Sequence, residues 1–351
     1  MRKTFKSTGI RPALAVLALS ASVFAVPAAA ADKVKIGVVG SATDVIHILA
    51  DKNGFFREQN IAPEFINFIS ATTMIAPLAN GDLDVGGGGP SAGMYNAAMR
   101  GIKLKVVADK GSMAPGNGFM PLIVRKDLYT SGKVRGIADL KGLKIGNTSK
   151  AGSGDVTLDK ALREVKLNFS DVDKLYMGIP QLAAALENGA LDATFMLEPM
   201  GTTLVARGTA VMLATGDTLY PNQQLAVILY GEAFAQKRDV AQRFMNAWVK
   251  GARIYNDALK DGRIAGKGAD EMLQLLIENT NVKDKDVYRR MIAPAINPDG
   301  AVNAAGLKQD YLFYKGQGWI EGDIDPDSMV DNSFADRARD ILGAYKKPNN
   351  N

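Results

Sequence analysis

The sequence predicts an α/β protein of two similar lobes with a ligand cleft between them, and three observations predict it. Short apolar strands alternate with helical stretches from residue 34 to residue 196, the order expected of mostly parallel sheets with covering helices. A set of short matches recurs at an offset of 107–109 residues. Lys35-Ile36-Gly37 returns as Lys144-Ile145-Gly146, and Asn80-Gly81-Asp82-Leu83-Asp84 as Asn188-Gly189-Ala190-Leu191-Asp192. Pro90 likewise matches Pro199, and Arg100-Gly101 matches Arg207-Gly208. Repeats of a solenoid have a much shorter period, so the pattern reads as two lobes. Finally, two extended segments, Phe119–Arg125 and Leu225–Tyr230, enter and leave the second unit. A chain that crosses twice has its second lobe inserted in its first. The expected division is 1–30 as a leader, 31–121 and 223–351 as the first lobe with C-terminal helices, and 122–222 as the second.

The elements follow in order. Val34–Val39 is a buried strand; Asp44 caps a helix to Lys52, which Asn53-Gly54 stops. Ala62–Ile69 is a strand, and a helix from Thr72 or Thr73 ends at Gly81. Asp84–Gly87 is a strand, Ser91 caps a helix to Met99, and Leu104–Ala108 is a further strand. The second unit repeats this with strand Leu143–Asn147, helix Ser153–Lys166, strand Lys174–Met177, helix Gln181–Asn188 and strand Asp192–Met196. From Glu232 on the chain reads as helical, and Phe244, Trp248, Ala252 and Tyr255 form one core face.

The start of the chain has the three regions of an export signal. Arg2, Lys3, Lys6 and Arg11 are basic, Ala13–Val26 is apolar, and Ala28-Ala29-Ala30 is a small-residue cleavage site. With no cysteine there is no disulfide framework and no lipid-anchoring cysteine. The expected location is therefore the periplasm, as a soluble, unanchored protein. The chain carries 42 basic and 37 acidic residues; removing the leader leaves 38 against 37, which gives no basis for nucleic-acid binding.

The run Leu78 to Gly86, with Pro90-Ser91 and Gly101 to Ala108 behind it, resembles the sulfonate, taurine and nitrate group of periplasmic substrate-binding proteins. So do Leu140 to Gly146, Gly152-Ser153-Gly154, and Gly189 through Glu198-Pro199. The resemblance covers the chain after the leader, in order. It implies a type II periplasmic binding protein of an ABC importer, with two lobes that close on a ligand about a two-segment hinge near 119–125 and 219–230. The same fold includes a thiamine-pyrimidine synthase that depends on a cysteine-rich segment, absent here.

In open α/β sheets ligands bind beyond the carboxyl ends of the strands, where helix starts offer backbone N–H groups to anions. That rule selects Ser41, Thr43 and Asp44, then Gly88, Gly89, Pro90 and Ser91, then Ser112. From the second lobe it selects Ser149, Ser153 and Gly154, then Gly178 and Glu198, with Tyr220 at the returning crossover. The expected ligand is a small organic anion, a sulfonate or carboxylate. Methionines including Met74, Met113 and Met120 near the cleft would suit an aromatic body, and Arg125 could clamp an acid. Ser153 is expected to contact the ligand, and Gly88→Val to block the site without unfolding the chain.

No metal motif, cofactor or catalytic pair is predicted. The single histidine, His47, has no recognisable catalytic partner. The expected partners are a membrane permease and its ATPase, and the protein itself is expected to be a monomer. A ligand-presenting sensor for a histidine kinase and an exported enzyme are the alternatives.

Overall fold

The strand–helix alternation folds into two five-stranded mixed sheets in a computed structural model that describes residues 1–4, 9 and 30–348. The predicted leader lies mostly outside the described residues. The compact unit from Ala31 onward is described here. Its first sheet comprises β1 (Asp32–Val38), β2 (Ile61–Asn67), β3 (Val85–Gly88) and β4 (Leu104–Ser112). The second contains β5 (Leu122–Arg125), β6 (Lys144–Asn147), β7 (Asp173–Tyr176), β8 (Ala193–Phe195) and β9 (Ala210–Ala214). The returning strand β10 (Gln224–Gly231) belongs to the first sheet.

The orders are β2-β1-β3-β10-β4 and β7-β6-β8-β5-β9. They superpose by role. The crossing strand β10 runs antiparallel between β3 and β4, and the crossing strand β5 runs antiparallel between β8 and β9. The rest pair in parallel, β1 with β2 and β3, and β6 with β7 and β8. The sequence echo is thus a structural one, and each sheet's antiparallel member is a segment that passes between the sheets. Strand β9 was not anticipated. It follows Arg207-Gly208 as β4 follows Arg100-Gly101, but four of its five residues are only partly buried, which weakens its apolar signature.

Local chemistry explains the element ends. Ser91 accepts the Met94 N–H at 3.3 Å and caps the helix Ala92–Met99. Gly81 takes φ +77° and ends the helix Ile75–Asn80. The predicted helix from Asp44 begins one turn earlier as a tight 3-10 turn over Ala42–Asp44, then continues as Val45–Lys52.

The long helix Arg238–Asp257 carries the predicted apolar face. Phe244, Trp248, Ala252 and Tyr255 are all fully buried. Phe244 lies 5.4 Å from the Phe56 ring and 5.9 Å from Tyr230, locking the helix over the first sheet. No helix among the described residues is long and apolar enough to cross a membrane.

Phe244→Ala should remove about 3–5 kcal/mol of stability, because the aromatic cluster around it has no means of collapsing into the space. Urea unfolding followed by far-UV circular dichroism measures this. A loss under about 1 kcal/mol would show that this cluster does not anchor the helix.

Candidate functional site

The carboxyl ends of the parallel strands of both sheets converge on one cavity enclosing about 600 Å³ of empty space, part of it open to solvent. From the first sheet come Val39, Ser41 and Thr43 after β1, Ile69 to Ala71 after β2, and Gly88 and Gly89 at β3. From the second come Thr148 and Ser149 after β6, Ser153 and Gly154 at the start of the helix Ser153–Glu164, Ile179, and Leu197 after β8. The crossings add Phe119, Met120, Leu225 and Ala226.

The wall combines two chemistries. Ser41, Thr43, Ser70, Thr148, Ser149 and Ser153 bring six hydroxyls; Phe119, Met120, Ile69, Ile179, Leu197 and Leu225 bring apolar surface. Among the described residues none of those lining it carries a charge.

The charges stand one layer back. Asp44 Oδ2 accepts the N–H groups of Val39, Gly40 and Ser41 at 3.1, 2.8 and 3.1 Å, and Oδ1 meets the Lys110 ammonium at 2.5 Å. Burial pushes the Asp44 carboxyl up, but Lys110 and these hydrogen bonds outweigh it, and its pKa is lowered. In the second sheet Asp155 plays the matching part. It accepts from Ala151 N–H at 2.8 Å, Tyr176 Oη at 3.1 Å and Asn147 Nδ2 at 3.2 Å. The amides at 39–41, expected to face a ligand, are therefore occupied by the protein's own carboxylate.

The two sheets touch directly around the cavity. Ser153 Oγ and Tyr314 Oη each donate to the Pro90 carbonyl at 3.1 Å. The Ala92 N–H donates to Ala151 O at 2.9 Å, and the Ala42 N–H to Glu198 O at 2.7 Å. Ser91 pairs with Gly152 as an isolated antiparallel bridge. Gln223, on the returning crossing, donates to Ser153 O and to Asp310 Oδ2, both at 3.0 Å, and accepts from Thr157 Oγ1 at 2.7 Å.

Seven of the fourteen residues picked from sequence lie on the wall: Ser41, Thr43, Gly88, Gly89, Ser149, Ser153 and Gly154. Pro90 and Ser91 hold the sheet-to-sheet contact beside it. Gly178 precedes the lining residue Ile179 and caps its helix. Asp44 lies beneath the wall. Glu198 is fully buried next to Leu197, accepting from Thr202 N–H at 2.8 Å, Thr202 Oγ1 at 2.7 Å and Ile292 N–H at 3.3 Å. Ser112 is placed elsewhere, with its amide bonded to Ala295 O at 2.8 Å and its residue on a separate polar cavity. Tyr220 Oη donates to Gln309 at 3.0 Å, outside the lining. Arg125 pairs with Asp127 at 2.6 Å and with Asp192 at 3.7 Å, at the far end of β5.

Sequence reasoning passed over Ile69, Ser70 and Ala71. They follow β2 and obey the same carboxyl-end rule, so the signal was present. The expectation for Gly88→Val is corrected. Gly88 has φ +147°, and a Cβ there would sit 2.6 Å from Ala71 Cβ, so the substitution strains β3 itself. Gly89 is the better probe of the gap: its Cβ would face Ser153 Oγ at 3.1 Å.

Residues 28–265 match the model of the NMT1-like family. A relative from Escherichia coli (strain K12), provisionally named an aliphatic sulfonates-binding protein, is 28% identical over 65% of this chain and 68% of its own. The fold is that of the alkanesulfonate-binding protein of Xanthomonas axonopodis pv. citri bound to MOPS, at TM-score 0.69 and 19% identity, covering 87% of this chain and 99% of that one. It is also that of the periplasmic nitrate-binding protein of Synechocystis PCC 6803, at TM-score 0.74 and 13% identity, covering 89% of each. A desulfurization enzyme shares it at TM-score 0.60 and 14% identity, over 89% of this chain and 99% of its own.

Four buried acids give the folded chain a pH signature. Burial raises Glu198 and Asp310 to about 7, and Asp109 and Asp155 to about 6. Each binds its proton more tightly folded than unfolded, so its stabilising contribution is complete below about pH 4 and lost as pH rises through 6–7. Asp44, lowered, acts in the opposite sense only below its ordinary range, and the single lowered His47 offsets part of the effect of the four acids as pH falls below 6.5. Thermal unfolding should therefore show a higher Tm near pH 5 than near pH 8. A Tm that rises across this interval would contradict the burial of these carboxyls.

Proposed function

The chain belongs to the NMT1-like family, and on that premise we propose that it is the periplasmic solute-binding component of an ABC importer, capturing a small organic anion between its two sheets. The observation that carries the reading is the cavity itself. Six serine and threonine residues contributed by both sheets line a pocket whose other surface is apolar, a composition suited to an oxygen-rich head on an apolar or aromatic body.

In this reading residues 31–121 with 223–351 form one lobe and 122–222 the other, with bending near 119–125 and 219–230. The hydrogen bonds that join Pro90 to Ser153 and Ala42 to Glu198 belong to the closed state. A ligand touching hydroxyls of both sheets favours that state, since only differential affinity shifts a population. The permease and its ATPase would receive the closed form.

A thermal-shift panel of alkanesulfonates, taurine, nitrate, aromatic carboxylates and thiamine-pyrimidine compounds tests this. Ligand at one hundred times its Kd adds about 2.7 kcal/mol, so one class of anion should stand out. Ser153→Ala should then weaken the responding ligand by about 1 kcal/mol. A folded, ligand-free protein that responds to none of the panel would contradict the anion reading.

A further inference from the structure

Lys110 is fully buried behind the cavity wall, in β4, and does not line the cavity. Its stem runs against Gly87, where a Cβ would sit 2.7 Å from Lys110 Cε, and Gly111 likewise leaves room for Thr43 Cγ2 at 2.9 Å. The ammonium meets Asp44 Oδ1 at 2.5 Å and Thr43 Oγ1 at 2.8 Å. Thr43 Oγ1 in turn lies 2.9 Å from Ser41 Oγ, and both Thr43 and Ser41 are on the wall.

Proton counting fixes what this chain of groups offers. An ammonium only donates, so Thr43 Oγ1 accepts from Lys110 and spends no proton there. The two hydroxyls own two protons, and whichever donates, one is used between them. Among the described residues neither donates to any further protein group. One hydroxyl proton is left for the cavity. The ion pair is also oriented: its ammonium end touches Thr43, while Asp44 Oδ2 is turned to the amides of 39–41.

Resting on the organic-anion reading above, we propose that Lys110 is a positioning residue that acts through Thr43 and Ser41. It biases this corner of the cavity toward hydrogen-bond donation, so that an oxyanion head is preferred over its neutral isostere. Because the ammonium polarises the hydroxyl pair, the donated bond is strengthened without a charge being exposed in the cavity.

The test is calorimetric titration of the purified protein with matched pairs, benzoate against benzamide and benzenesulfonate against benzenesulfonamide. The wild type should prefer the anion of its better pair by at least tenfold. Thr43→Val should lose at least tenfold for that anion and less than threefold for its neutral partner, and Thr43→Ser should restore the anion to within threefold. If Thr43→Val fails to fold, the double variant Asp44→Asn/Lys110→Met, which strands no lone ion, is read in the same way. An anion affinity unchanged within threefold in a folded variant overturns the role of Lys110 and leaves the anion reading intact. Equal wild-type affinity for both members of a pair also overturns the inference. Binding of none of the four compounds overturns the inference together with the anion reading beneath it.

Discussion

A lysine ammonium withdrawn completely from water is the constraint from which the floor of the cavity follows. Such a charge is stable only when it is paired and hydrogen-bonded. Asp44 and Thr43 take two of its three N–H groups here, and Asp44 is itself held by three consecutive amides. The loop after β1 and the strand β4 are thereby fixed to each other. The same cluster decides the fate of the single histidine. His47 is buried beside it, and burial and the nearby Lys110 hold its pKa down to about 3, so it is a neutral interior residue at physiological pH. Neither ring nitrogen has a hydrogen-bond partner among the described residues, which argues against a relay through it.

The second sheet repeats the device with a different balance. Asp155 gathers an amide, an amide side chain and a phenol, but no cation touches it, and burial leaves it raised where Asp44 is lowered. Both acids bind polar groups of their own loops, in front of which Ser41, Thr43, Thr148 and Ser149 line the cavity. The result is an uncharged, hydroxyl-lined space between two charged, self-satisfied loops. Direct bonds through Pro90, Ala92 and Ala42 then set how closely the loops approach.

Much of this was legible in the sequence because it rests on local signals. The capping serine at 91, the glycine at 81 and the helical stripe through Phe244, Trp248 and Tyr255 are each read within a few residues. The repeat at 107–109 residues reported the pairing of β1 with β6 and of β3 with β8 in role. What stayed hidden depends on the chain meeting itself at long range. The run Gly86–Gly89 is unmistakable, yet its reasons lie far away, with Lys110 against Gly87, Ala71 against Gly88 and Ser153 against Gly89. Thr43 and Ser41 were visible as cleft residues. The lysine behind them falls in the segment 110–112, which reads as a cleft loop, because β4 runs four residues beyond the apolar stretch that predicted it. Ser112 was misplaced for the same reason: it is the last residue of that extended strand and pairs with Ala295.

Closure of the two sheets on a ligand is the central claim, and the absence of native cysteine makes it directly measurable. Cysteines introduced at the exposed positions Asp82 and Lys133, one beside each sheet, take a spin-label pair for electron–electron distance measurement. A saturating anion from the responding class should convert a broad distance distribution into a single narrow one. An identical distribution with and without that anion would show that the sheets do not move on binding and would contradict the account.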